Sequence, residues 1–241
     1  GNVDGQLGAR WAPHSAPRVL GSAQTGAVVI TQHISEEETA TFRWEQAEVS
    51  LAHTSSGLRL QLGVQRDKRK VVALDLLLPP DRKQAIAGAI NIDRLQLAAL
   101  QPFVPALSTL AGEISGGLSL AGTVDQPQGF GELQLTGGQL ALQGNPTQLE
   151  NLDINLDVQG AAAQIRGTGV LGGGELQLSG EVQAEPTLQL QLAIEGSDHD
   201  ILYPPSTQLQ IAQSLQLTVQ KGLLGLAGEV TVLNGQLKIE E

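Results

Sequence analysis

Cysteine and methionine are absent from this 241-residue chain, and aromatic residues make up only 2% of it. Without cysteine there is no disulfide and no thiolate site. A missing cysteine does not by itself fix the redox compartment. Ordinary globular cores contain several rings, because each ring buries a large area. Here Leu, Ile, Val and Ala supply almost all of the apolar surface within a 41% hydrophobic fraction. Such a face resembles hydrocarbon and suits alkyl chains, although a plain aliphatic core reads the same way. Basic residues are scarce: 14 Lys and Arg stand against 25 Asp and Glu, a net charge of −11. That balance argues against nucleic acid, which needs cations to displace counterions from phosphates. It also argues against electrostatic docking on anionic membranes. No signal peptide is legible, and no apolar run reaches the ~18 residues of a spanning helix. The chain opens on Gly1 and its last alternating run (Leu237, Ile239) stops short. A piece of a longer protein is therefore expected.

What the chain does have is alternation. Residues 112–196 repeat the unit Gly-x-Leu-x-Leu-x-Gly, as in 131–137 and 174–180. Between copies, Leu152, Ile154, Leu156 and Val158 point one way while Asp153, Asn155 and Asp157 point the other. Leu188, Leu190, Leu192 and Ile194 repeat the pattern. A period of two is the mark of strands with one apolar and one polar face.

Residues 1–22 read as loop or poorly paired edge strand around Trp11. Strands are expected at 27–31, 41–52, 58–64, 71–78 and 85–92, joined by turns at 54–57, 67–70 and 79–83. The basic residues of the last two turns are solvated strand ends. Glu36, Glu37 and Glu38 read as a charged turn. Residues 93–110 break the pattern: Leu97, Leu100, Val104, Leu107 and Leu110 have helical spacing, with Asp93 as candidate N-cap. Pro102 and Pro105 limit this stretch to one or two helical turns. The expected division is a first β segment (1–92), a helical joint (93–110) and a second β segment (111–241). Strands resume at 112–122, 131–136, 139–143, 149–158, 161–171, 175–183 and 187–195. A loop is expected at 197–205, then strands at 208–211, 215–220, 223–232 and 236–239. Sixteen or so strands in one sheet would extend about 75 Å at ~4.8 Å per strand. No helical layer is available to cover the apolar face, so the sheet must curl over itself. The fold class is all-β, a long antiparallel-rich sheet forming a trough with an apolar concave face.

Several motifs tempt and fail. Gly167-Thr168-Gly169-Val170-Leu171-Gly172 spells a dinucleotide fingerprint, but another strand follows where a helix must start. Asn145-Pro146-Thr147 has proline in the forbidden middle position of a glycosylation site. His14, His33, His53 and His199 are scattered, and Asp198-His199-Asp200 reads as polar loop sooner than metal site. There is no Gly-x-Ser-x-Gly elbow, and the carboxylates alternate outward rather than pairing in a cleft. No catalytic residue, metal or cofactor is expected, and the chain reads as non-enzymatic.

Three stretches carry a resemblance to a known family. The first is Ala-Gly-Ala-Ile-Asn-Ile-Asp at 87–93, followed by the joint. The second is 110–140, with its Gly-Thr-Val-Asp-Gln-Pro step. The third combines Ile-Leu-Tyr-Pro-Pro (201–205), residues 215–219 and the run 228–239. Together they resemble the C-terminal part of the TamB family, within the AsmA-like group of bacterial envelope proteins. The resemblance implies a trough-shaped β fold in the periplasm of a Gram-negative bacterium. It implies a parent protein anchored in the inner membrane by an N-terminal helix, and a TamA-type outer-membrane barrel partner met through a C-terminal region; neither segment is in this sequence. It also implies a role in moving phospholipids between membranes and in outer-membrane biogenesis.

On this reading the acyl chains of phospholipids lie in a groove lined by Leu133, Leu135, Leu140, Leu142, Leu152, Ile154, Leu156, Leu176, Leu178, Val182, Leu188, Leu190, Leu192 and Ile194. The alternative is a chaperone or scaffold that binds strands of outer-membrane-protein clients by a sheet edge or the groove. A glycan-active solenoid enzyme is disfavoured by the scarcity of rings to stack on sugars.

Overall fold

A computed structural model of the chain describes residues 3–10, 18–33, 39–66, 68–184, 187–203, 207–220 and 222–237. Trp11 and the Glu36–Glu38 turn lie outside these residues, as do the Tyr203-flanking prolines Pro204 and Pro205. The described residues are nearly all strand. In chain order they form β1 (Val3–Arg10), β2 (Arg18–Thr25), β3 (Val28–His33), β4 (Thr39–Trp44), β5 (Gln46–Thr54), β6 (Gly57–Arg66), β7 (Arg69–Leu78) and β8 (Ala87–Gln96). After a single 3-10 turn come β9 (Leu107–Gly122), β10 (Pro127–Leu142), β11 (Gln148–Gly160), β12 (Ala162–Leu171), β13 (Gly174–Gln183), β14 (Gln189–Tyr203), β15 (Thr207–Gln220) and β16 (Leu223–Leu237).

Fourteen strands form one sheet in the order β1-β2-β5-β6-β7-β8-β9-β10-β11-β12-β13-β14-β15-β16, and β3 pairs with β4 apart from it. The order does not return on itself, so the sheet is open rather than a barrel. Its strands pair antiparallel with their chain neighbours, as short turns permit, except that β2 pairs with β5. The all-β expectation holds. The chain divides into two compact units: residues 1–95 with 115–131, and residues 96–114 with 132–241.

Local departures from the expected pattern have physical causes. The expected strand 41–52 is two strands in different sheets, parted at Glu45. Asp93 is not an N-cap, because the alternation of 87–92 carries β8 on to Gln96. The helical turns reduce to the 3-10 segment Leu97–Phe103, capped by no side chain. Pro102 offers no amide to extend it, and Gln101 closes it by donating to the Ser108 carbonyl at 2.9 Å. The pairs 131–136/139–143 and 208–211/215–220 each fuse into one strand, to Leu142 and Gln220, and 223–232 runs on to Leu237, with 238–239 outside the described residues. In β10 the fusion runs through Gly137, which takes a left-handed φ of 60°. The expected loop at 197–205 is strand as far as Tyr203, because a bulge between Gly196 and His199 absorbs two residues and pairing with β15 resumes.

Candidate functional site

The register of the second unit turns alternation into rows. Side chains of directly paired residues stand on the same face. One row runs Val158, Ala163, Val182, Leu190, Val219 and Leu224 from β11 to β16. The next runs Leu156, Ile165, Gly180, Leu192, Leu217 and Leu226. A third runs Ile154, Gly167, Leu178, Ile194, Leu215 and Gly228. No ring, charge or hydrogen-bonding side chain interrupts these three rows. Six strands at ~4.8 Å spacing make a stripe about 24 Å across.

Two of the glycines in the rows are covered by their neighbours. A Cβ on Gly167 would lie 3.1 Å from Ile154 Cγ1 and 3.4 Å from Leu178 Cδ1. A Cβ on Gly180 would meet Leu192 Cδ1 at 3.1 Å and the Gln191 carbonyl oxygen at 2.3 Å. Aliphatic side chains therefore lean over the gaps at Gly167 and Gly180, whereas at Gly228 the backbone of Ser214 and Leu215 comes closest.

Of the expected lining residues, Leu152 and Leu176 are buried. Leu133, Leu135, Leu140, Ile154, Leu156, Leu178, Val182, Leu190, Leu192 and Ile194 are half-buried. Leu142 and Leu188 are 54% and 58% exposed. Leu142 owes this to the end of β10, where the buried neighbour is Ala141, whose carbonyl accepts from Ser108 Oγ. Leu188 precedes β14 and has no place in the rows. Ile154, Leu156, Leu178, Val182, Leu190, Leu192 and Ile194 share one face. Leu135 and Leu152 flank Gly138, where a Cβ would sit 3.2 and 3.0 Å from them.

Sequence reasoning missed Ile165, Leu215, Leu217, Val219, Leu224 and Leu226, which complete the rows. Their alternation is visible, but only the register shows which rows they join. It also missed a comparable face in the first unit. There Ala23, Val49, Leu62, Leu74 and Ile90 form one row, and Gly21, Leu51, Leu60, Leu76 and Gly88 another.

The opposite face is polar. In the second unit a cleft of about 470 Å³ is walled by Gln134, Thr136, Asp153, Asn155, Arg166, Thr168 and Glu195 among others. Two of its charges have structural tasks: Asp153 accepts the Gly137 amide at 2.8 Å, and Arg166 donates to Gln164 at 2.6 Å. In the first unit Arg59 Nε donates to Asp75 Oδ1 at 2.8 Å, and Gln61 Nε2 to Oδ2 at 3.0 Å. The hydrogen bond from Arg59, then that from Gln61, hold the Asp75 carboxyl below its ordinary range. Among the described residues no cluster of His, Asp and Glu has the makings of a metal site. No helix among them is long and apolar enough to cross a membrane. The stripe, not the polar cleft, is the continuous and chemically uniform feature.

No solved structure matches the chain. A protein-family model described as TamB, N-terminal domain, matches residues 1–135. That match spans more than half of the chain and supports the family that the sequence resembles. It contains the first of the three stretches that carry the resemblance and most of the second. The domain it describes is the N-terminal one, so it lends nothing to the expectation of a C-terminal fragment.

Proposed function

The chain belongs to the TamB family of bacterial envelope proteins, and on that premise we propose that its aliphatic rows shield phospholipid acyl chains during transport across the periplasm. The observation that carries this reading is the unbroken stripe of Val, Leu, Ile, Ala and Gly across β11–β16, most of it only half-buried. An acyl chain in water costs about 0.8 kcal/mol per methylene, so a sixteen-carbon chain costs roughly 13 kcal/mol. A stripe of hydrocarbon-like side chains removes much of that cost while the headgroup stays in water. Uniformity matters, because a tight local site would trap the lipid. The parent protein then bridges from an inner-membrane anchor to a TamA-type barrel partner and supports outer-membrane biogenesis. The chain itself catalyses nothing on this reading.

Native mass spectrometry of the purified chain, with extraction of bound lipid, tests it. Phospholipid or detergent is expected on the wild type and lost in Leu190→Asp, which sets a carboxylate in the middle of a row at a cost of several kcal/mol if water stays out. An empty wild type, or a folded Leu190→Asp variant that keeps its lipid, removes the reading.

A second reading rests on β16. Its Leu224, Leu226, Val230 and Val232 continue the apolar face and are more than half exposed. A client strand of an outer-membrane protein has the same alternation and would pair along it. Saturable binding of alternating peptides, with no lipid on the protein, favours this role over transport.

A further inference from the structure

Six asparagines occur in the chain, and five precede a residue that hinders or forbids attack on the side-chain amide: Val3, Ile92, Pro146, Leu152 and Leu156. Branched neighbours crowd the intervening backbone nitrogen, and proline has no N–H to lose. Asn234 alone is followed by glycine. Gly235 has no Cβ to shield its nitrogen, and glycine has the widest choice of backbone angles. The structure also puts the two reacting groups together. The Gly235 amide donates to Asn234 Oδ1 at 2.8 Å, so the nitrogen already faces the side-chain carbonyl.

Asn234 lies where β16 is least constrained. Both it and Gly235 are exposed to water. β16 ends the sheet order, with β15 as its one ladder partner among the described residues. The pairing slips directly before Asn234: Val232 pairs with Ile211 and Asn234 with Gln210, which leaves Leu233 bulged. A bulge interrupts the ladder and bends the strand. That freedom supplies the backbone rotation at Asn234 that ring closure needs. Beyond the bulge, Gly235, Gln236 and Leu237 pair with Leu209, Gln208 and Thr207.

We propose that Asn234 is a site of spontaneous deamidation, and that the isoaspartate formed there unpairs the end of β16 from β15. Hydroxide takes the Gly235 amide proton, and the nitrogen attacks Asn234 Cγ. The N–Cγ bond forms and the Cγ–Nδ2 bond breaks. Ammonia leaves with a proton from water, which returns the hydroxide. Water then opens the cyclic imide. Opening at Cγ gives aspartate, and opening at the backbone carbonyl gives isoaspartate. The balance is one water consumed, one side-chain amide lost, and one carboxylate and one ammonium made, with nothing oxidised or reduced. Isoaspartate routes the main chain through its Cβ and so lengthens it by one carbon. A ladder of fixed period cannot absorb that carbon, so Gly235, Gln236 and Leu237 lose register with β15. Either product also sets a negative charge on an open edge, which discourages the addition of another strand.

The intact chain, aged at neutral and at mildly alkaline pH and mapped by mass spectrometry after proteolysis, tests the proposal. Aspartate and isoaspartate are expected at position 234, forming faster as pH rises, while Asn91, Asn151 and Asn155 remain amides. Conversion at Asn234 no faster than at Asn155 overturns the site. Gly235→Ala adds a Cβ that meets Leu209 Cδ2 at 3.1 Å, the end of a flexible side chain, so the strand accommodates it. Conversion should slow severalfold in that variant, and an unchanged rate overturns the role given to Gly235. Hydrogen exchange of the isoaspartate form, separated by ion exchange, reads the consequence. Protection should be lost in segment 235–237 and kept in 215–219. Equal protection of 235–237 before and after ageing overturns the unpairing.

Discussion

Two glycines separate backbone conformation from packing. Gly137 has φ of 60° and open space around the site of a Cβ. Gly137→Ala therefore brings only the left-handed penalty, about 1 kcal/mol. Gly180 has an extended backbone, yet a Cβ there would sit 2.3 Å from the Gln191 carbonyl oxygen. Gly180→Ala must push β13 off β14 and should cost roughly 1–3 kcal/mol. Urea unfolding is expected to rank Gly180→Ala below Gly137→Ala, and the reverse order would mean that β13 and β14 do not approach so closely. A second residue-scale prediction concerns Asp75. Its depressed value means that the charged form is favoured in the folded state. The stabilisation is present above the ordinary carboxylate range and is lost as pH falls through the folded-state value. Because the pair is exposed, the effect on stability is small. Arg59→Ala should raise the titration midpoint of the Asp75 carboxyl toward its ordinary value, as read by ¹³C NMR; an unmoved midpoint would leave Gln61 as the main partner.

At the scale of the element, β16 is the informative strand. Its apolar residues face both ways: Leu224, Leu226, Val230 and Val232 on the side of the rows, Leu223 on the other, all more than half exposed. A long apolar strand with one ladder partner among the described residues is a template for another strand. Leu226→Lys should reduce self-association in light scattering while changing stability by no more than about 0.5 kcal/mol. Leu176→Ala, on the buried side of β13, should cost about 2–4 kcal/mol. Strand existence was legible in the sequence because alternation is local: residues 152–158 and 188–194 each declare two faces unaided. Strand ends were not, because they depend on partners. Ser197 and Asp198 look like loop until His199 and Ile201 are seen paired with Ile211 and Leu209. The lining of the face was half legible for the same reason. Leu190 and Leu192 are recognisable alone, but their rows with Val219 and Leu217 need a register that only the sheet supplies.

At the scale of the whole molecule, the two compact units are not consecutive in sequence. The first takes residues 115–131 from beyond residues 96–114, which belong to the second. The returning segment does specific work in the first unit. The Ile86 amide donates to the Gly122 carbonyl at 2.9 Å, and the Val124 amide to the Arg82 carbonyl at 3.1 Å. Arg82 also pairs with Asp125, and Ala85 bridges to Thr123. A piece ending at residue 95 loses all four and leaves Ile86, which is buried in the intact chain, without its cover. A piece ending at residue 131 keeps them, and the matched family domain, 1–135, contains this whole unit. Each lost backbone bond that leaves a buried group unpaired costs about 1–3 kcal/mol, so the deficit of the shorter piece is a large share of a domain's ordinary stability of about 5–15 kcal/mol. Residues 1–131 should therefore give a β-rich circular dichroism spectrum with slow exchange at the Ile86 amide. Residues 1–95 should exchange that amide at nearly the free rate and unfold at lower urea. Equal protection in the two pieces would mean that β5–β8 hold themselves together by their own ladder, and that the returning segment is an attachment rather than part of the unit.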